Sequence, residues 1–154
     1  MAAIAGKVDS FENSLLLLIF NATAIALLAR DAAVPAANLY VALHKADPTE
    51  EAANQAAQEC DYTGYSGTGR RPAARTSGGW TVSGNSVVNA AALTFGQNTG
   101  ASQTITHFSV GGEASGATAI YYAGLITTPS GGLVCSPYVT PSFAAATGIT
   151  ITEN

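Results

Sequence analysis

Leu39–Tyr40–Val41–Ala42–Leu43–His44–Lys45–Ala46–Asp47–Pro48–Thr49 is the stretch that decides the fold class. Its first six residues alternate: Leu39, Val41 and Leu43 share one face, Tyr40, Ala42 and His44 the other, as a half-buried strand requires. Asp47–Pro48–Thr49 then supplies a turn, because proline presets φ and aspartate hydrogen-bonds its own backbone two residues on. Downstream, beyond Trp80, the period of two persists. Strands are expected at Trp80–Val82, Val87–Phe95, Thr104–Val110, Ala119–Ile126, Leu133–Pro137 and Gly148–Thr152, with Gly-rich breaks at Gly96–Gly100, Gly111–Gly116 and Ser130–Gly132. Short strands without interleaved helices predict a mainly β protein, an antiparallel jelly-roll-like β-sandwich.

Upstream of the first strand the period changes. Leu15, Leu18, Ala22, Ile25 and Ala29 recur at helical spacing, Ser10 can cap, and Glu12 sits where the helix dipole favours an acid. An N-terminal α-helix over about residues 10–31 is therefore expected, closed by Val34 and Pro35. Leu16, Leu17, Ile19, Phe20, Leu27 and Leu28 spread apolar surface round most of it, so it has to be covered on more than one side. A neighbouring subunit is the expected second cover. The run is too short and too interrupted by Asn21 and Thr23 for a membrane span, and the acids before it do not suit a signal peptide. At 154 residues the chain suits one domain, 1–154, with the helix at about 10–31 and the sandwich at about 38–154. Glu50–Gln58 favours helix, either a short one or an insertion in a loop, and Asp61–Gly79 a long loop with an edge strand.

Charge narrows the function. Only 10% of residues are charged against 47% apolar, where an ordinary domain carries about 25% charged residues. After Arg75 the formal charges are Glu113 and Glu153 alone. Such a surface suits close packing with partners better than catalysis, which needs ionisable groups. The net charge of −4 argues against nucleic acid, and Arg70, Arg71 and Arg75 form the one basic cluster, read as solvated or paired. Cys60 and Cys135 are too few to build a disulfide fold, and no metal-ligand spacing surrounds them. His44 near Asp47 reads as a turn contact, and His107 beside Phe108 as a packed residue. Gly64–Tyr65–Ser66–Gly67–Thr68–Gly69–Arg70 lacks the ending of a phosphate loop. Tyr62, Tyr65 and Trp80 could stack a sugar, but they read better as core or interface anchors. No catalytic, cofactor-binding or metal residue is assigned. The candidate interface residues are Leu15, Leu18, Phe20, Ile25, Leu28, Tyr62, Tyr65 and Trp80, with the Glu50–Gly79 loop as a further contact region.

Ser10–Phe11–Glu12–Asn13, the 39–49 stretch, Leu93–Thr94–Phe95, Ile105–Thr106–His107–Phe108, Ile120–Tyr121–Tyr122–Ala123–Gly124–Leu125 and Pro141–Ser142–Phe143–Ala144–Ala145 occur in an order that resembles a family of small tailed-phage virion proteins. Members typically read "YxALxTADPT", "ITHxxxxD", "LLYxGxL" and "xSFxAGxLTIT". Within that family the chain looks like the capsid cement, or decoration, proteins. It departs from the pattern in a longer Glu50–Arg75 segment and in Gly111–Gly112–Glu113 where an Asp-containing turn is usual. The resemblance implies a non-enzymatic subunit on the outer capsid surface of the virion, a homo-oligomer (dimer or trimer) clamping the phage major capsid protein. It implies no cofactor, no membrane and no nucleic acid, and, for a chain made in a bacterial cytoplasm, free thiols. A tail or baseplate component and a carbohydrate-binding surface module are the alternatives.

Overall fold

The computed structural model describes residues 9–24, 36–49, 54–65 and 69–153. These form one helix, α1 (Asp9–Asn21), and eleven strands: β1 (Asn38–His44), β2 (Arg71–Ala74), β3 (Trp80–Ser83), β4 (Ser86–Asn89), β5 (Leu93–Thr94), β6 (Gln103–Ile105), β7 (His107–Gly111), β8 (Ile120–Leu125), β9 (Leu133–Cys135), β10 (Ser142–Phe143) and β11 (Thr150–Thr152). The fold is mainly β with antiparallel sheets and an N-terminal helix. Its strands divide into a four-stranded sheet in the order β2-β1-β7-β8, a three-stranded sheet β11-β4-β3, and two pairs, β10-β5 and β6-β9.

β1 sits inside the main sheet, and its alternation points Leu39, Val41 and Leu43 into the core. Ala42 and His44, on the other face, are just as buried. The segment from Asn54 to Cys60 accounts for that. It crosses the outer face from a bridge with Ala119 to a bridge with His44, where Lys45 N–H bonds Gln58 O and Cys60 N–H bonds Leu43 O. The helix expected at Glu50–Gln58 is not what residues 54–58 form: they turn, because the Asn54 carboxamide accepts from the Ala56 and Ala57 amides and so holds the backbone in an Asx-type bend. Residues 50–53 lie outside the described residues.

Two expected strands are broken by polar corners. Val87–Phe95 divides into β4 and β5 at Asn89, whose buried carboxamide donates to Ala91 O and Ala144 O and accepts from Ile149 N–H. Thr104–Val110 divides into β6 and β7 at Thr106, whose N–H bonds His44 O and whose hydroxyl bonds Lys45 O. Each corner lets one run of chain serve two sheets.

The helix is shorter than the sequence suggests. It ends at Asn21, not near residue 31, and Ser10, expected as its cap, falls inside it. Ala22 takes φ +52° and Thr23 N–H returns to Leu17 O at 3.0 Å, the geometry of a helix closed by a left-handed residue. Arg75 adds the cation that the helix lacks in its own last turn, donating to Leu18 O and Ile19 O. Residues 25–31 of the expected helix lie outside the described residues. Leu16 and Phe20, four residues apart, point inward, and Phe20 packs edge-on to Trp80 with ring centres 4.7 Å apart.

Candidate functional site

Four of the candidate interface residues lie in the core of the folded chain: Phe20, Tyr62, Tyr65 and Trp80 are at most 4% exposed. Within the single chain these four are core residues, which for Tyr62, Tyr65 and Trp80 is one arm of their reading as core or interface anchors. An aromatic fills a core or an interface equally well by its composition; here Tyr65 stacks on Phe95 and Tyr62 packs on Tyr65. Leu15 and Leu18 are half-buried on the helix. Ile25 and Leu28 lie outside the described residues.

The Tyr65 hydroxyl leads into a polar network that lies across the outer face of the main sheet. It donates to Glu59 Oε1 (2.9 Å) and accepts from Leu43 N–H (3.2 Å), and burial, then the Glu59 charge, raise its pKa well above the usual range. Arg70 grips Glu59 with two parallel bonds, Nε to Oε1 at 2.9 Å and Nη2 to Oε2 at 2.8 Å. Its remaining donors reach Gln55 Oε1, Glu113 O, Thr118 Oγ1 and Gly116 O. Gln55, fully buried, donates in turn to Tyr40 O and Ser109 Oγ. His44 completes the chain. Its Nδ1 lies 2.9 Å from Ala57 O, so that nitrogen carries the proton and Nε2 accepts from Ser109 Oγ at 2.8 Å. Burial pushes the imidazole below its ordinary value, so it stays neutral. His44 does not touch Asp47, whose carboxylate instead accepts from Thr49. The sequence marked His44 and the arginine cluster, but nothing local showed that Ser109 and Glu59 would meet them. Every polar group in the network is spent on holding the 54–60 and 113–118 segments to the sheet.

Cys60 and Cys135 are both free and buried, and burial pushes the Cys60 thiol up to about 12. That favours inert packing over nucleophilic chemistry.

Outside the network, the two edges of the main sheet differ. At β2, Arg75 N–H bonds Ala37 O, continuing the β1–β2 ladder. Alternation then turns Arg71 and Ala73 toward β1 and leaves Pro72 and Ala74 facing outward. Pro72 has no N–H to offer. The side chain of Ala74 is exposed, but its backbone lies against the turn ahead of β3: a Cβ on Gly79 would stand 2.1 Å from Ala74 O. At β8, Ile126 N–H bonds Thr106 O on the β7 side, so Gly124 also faces β7, while Ala123 and Leu125 direct their N–H and C=O groups outward. Among the described residues no strand pairs with that side of Tyr121–Leu125; just ahead of β8 the chain is held, since Asn54 bridges Ala119 and Gln55 N–H bonds Thr118 O. The side chains of β8 alternate too, with Tyr121, Ala123 and Leu125 exposed and Ile120, Tyr122 and Gly124 turned inward. Tyr121 and Leu125 are 51% and 58% exposed.

The family model described as "Podophage GP4 fiber I protein gp80" matches residues 9–132, from the start of α1 to the residue before β9. No curated protein matches the chain.

Proposed function

The chain belongs to the Podophage GP4 fiber I protein gp80 family, and from that premise we propose that this phage structural protein is a non-enzymatic subunit of a fibre assembly. The family match is the observation that supports a fibre over the capsid cement expected from the sequence. Three features of the chain support a part that works by assembly. Its second half is nearly free of charge. Among the described residues one sheet edge, Tyr121–Leu125, is uncharged and unpaired. The polar groups a catalyst would need are already committed to one another, since both His44 nitrogens and the Arg70 fork are bonded within the fold. The carbohydrate reading loses its aromatic platform, because Tyr62, Tyr65 and Trp80 are buried.

Cryo-electron microscopy of the virion, with antibody against this chain, tests the proposal. Label on fibres is expected. Label on the shell would restore the cement placement, and no virion label would overturn the structural role.

A further inference from the structure

From the contrast between the two edges we infer that β8 is a self-pairing edge: two copies join antiparallel along Tyr121–Leu125 about a two-fold axis at Ala123, making one continuous eight-stranded sheet from two four-stranded ones. The inference rests on the reading of the chain as an assembling subunit and names the surface that does it.

The backbone comes first. Ala123 and Leu125 hold outward-facing N–H and C=O groups, and a row of such groups is a template for another strand. A two-fold at Ala123 pairs it with its own copy through two reciprocal N–H···O bonds and sets Tyr121 opposite Leu125 on both sides. The side chains suit that register. Ala123 is small at the axis, where each side chain lies beside its own copy, and the exposed Tyr121 and Leu125 cover one another twice.

Charge selects a second copy as the occupant. A contact across a two-fold brings each residue beside its own duplicate or near neighbours, so any charged side chain on the edge meets like charge. From Ala114 to Thr152 the chain has no Asp, Glu, Lys or Arg. A partner recognised by complementary charge would need some charge here to complement. The neutral edge fits its own copy.

The test uses the full chain. Sedimentation and light scattering are expected to show a dimer or a larger species containing it. Ala123→Lys, which sets two ammonium groups against each other, and Ala123→Pro, which removes the outward N–H, should each weaken association at least about tenfold with circular dichroism unchanged. As a check that needs no loss of contact, Ala123→Cys should form a covalent dimer under added oxidant, since paired Cα atoms about 5.5 Å apart suit a disulfide. Thr104→Cys, at the exposed position of β6, should not. A monomeric wild type at about 100 μM, about a hundredfold above the micromolar dissociation constant of a modest complex, would overturn the inference. So would an oligomer indifferent to both the Lys and Pro variants. Either failure leaves the fibre reading standing if the chain is still found in fibres, whereas absence from the virion would sink that reading by itself.

Discussion

β2 and β8 close the same four-stranded sheet from opposite sides, yet they treat their outward backbone groups differently. β2 is four residues long, carries a proline at an outward position, lies under the Gly79 turn, and is continued by the segment bridged to His44. β8 is six residues long, uncharged, and lined outward by Tyr121, Ala123 and Leu125. An open edge is a hazard that proteins ordinarily blunt with proline, charge, shortness or cover. β8 carries a bulge against β7 at Val110/Gly111 and Asn54 bridges the residue before it, but among the described residues Tyr121–Leu125 has no proline, charge or cover, which suits that stretch to a partner. The polar network links the two, since Arg70, the residue before β2, bonds the 113–118 segment that leads into β8.

The largest effect is expected at that link. Arg70→Met leaves the Glu59 carboxylate, only 21% exposed, without its guanidinium, and breaking one side of a buried pair costs about 3–5 kcal/mol. Urea unfolding should show that loss. Hydrogen exchange should show faster amides at Thr118 and Ile120 than at Arg71 and Ala73, because the β8 approach loses its anchor while the β1–β2 ladder is intact. Equal loosening at both edges would mean that the network does not connect them as the bonds suggest.

Next comes the cover over β2. Gly79→Ala drives a Cβ into Ala74 O and within 2.8 Å of Ala74 N. Both are backbone atoms that cannot rotate away, so a loss of about 1–3 kcal/mol is expected on thermal unfolding. A neutral result would show that the turn only rests beside β2 and does not guard it.

Acid should loosen the shared outer face without distinguishing the edges. The folded His44 has a pKa below its ordinary 6.5, chiefly through burial, so the unfolded chain takes up the proton first. Stability from this group is fully present above pH 6.5 and is lost as pH falls from 6.5 toward the folded value, by at most about 1.4 kcal/mol per pH unit. His44→Gln should remove that part of the slope. An unchanged slope would assign it to another group.

What the sequence made legible follows the range of the cause. β1 was readable because its alternation is local, and the Asp47–Thr49 turn because its hydrogen bonds are local. The end of α1 was not, although Asn21 and Thr23 mark it. What closes the helix includes Arg75, more than fifty residues away, and a chain pattern apolar on most faces holds no stop signal. The corners at Asn89 and Thr106 were hidden for the same reason: each holds its bend by bonding a distant backbone. At the site, β8 was readable as a strand, though Ile120–Leu125 is apolar on both faces and so did not show which one is exposed. That β8 would be an edge was not, since edge status is a property of strand order and not of a strand's own residues.

The smallest expected effect is also the sharpest test of why the edges differ. Pro72→Val restores one outward N–H on β2 and removes a ring already matched to the strand, so stability should stay within about 0.5 kcal/mol. Made in the Ala123→Lys background, where β8 is blocked, it isolates β2 as a source of association. One restored donor, between a charged Arg71 and an Ala74 whose backbone lies against Gly79, does not make a ladder. The double variant should therefore dimerise at least about tenfold more weakly than the wild type, a difference of about 1.4 kcal/mol, readable by sedimentation across a concentration series. A double variant as strongly associated as the wild type would mean that proline alone separated the two edges. In that case the length, neutrality and exposed apolar row of β8 would not be what fits it to its copy.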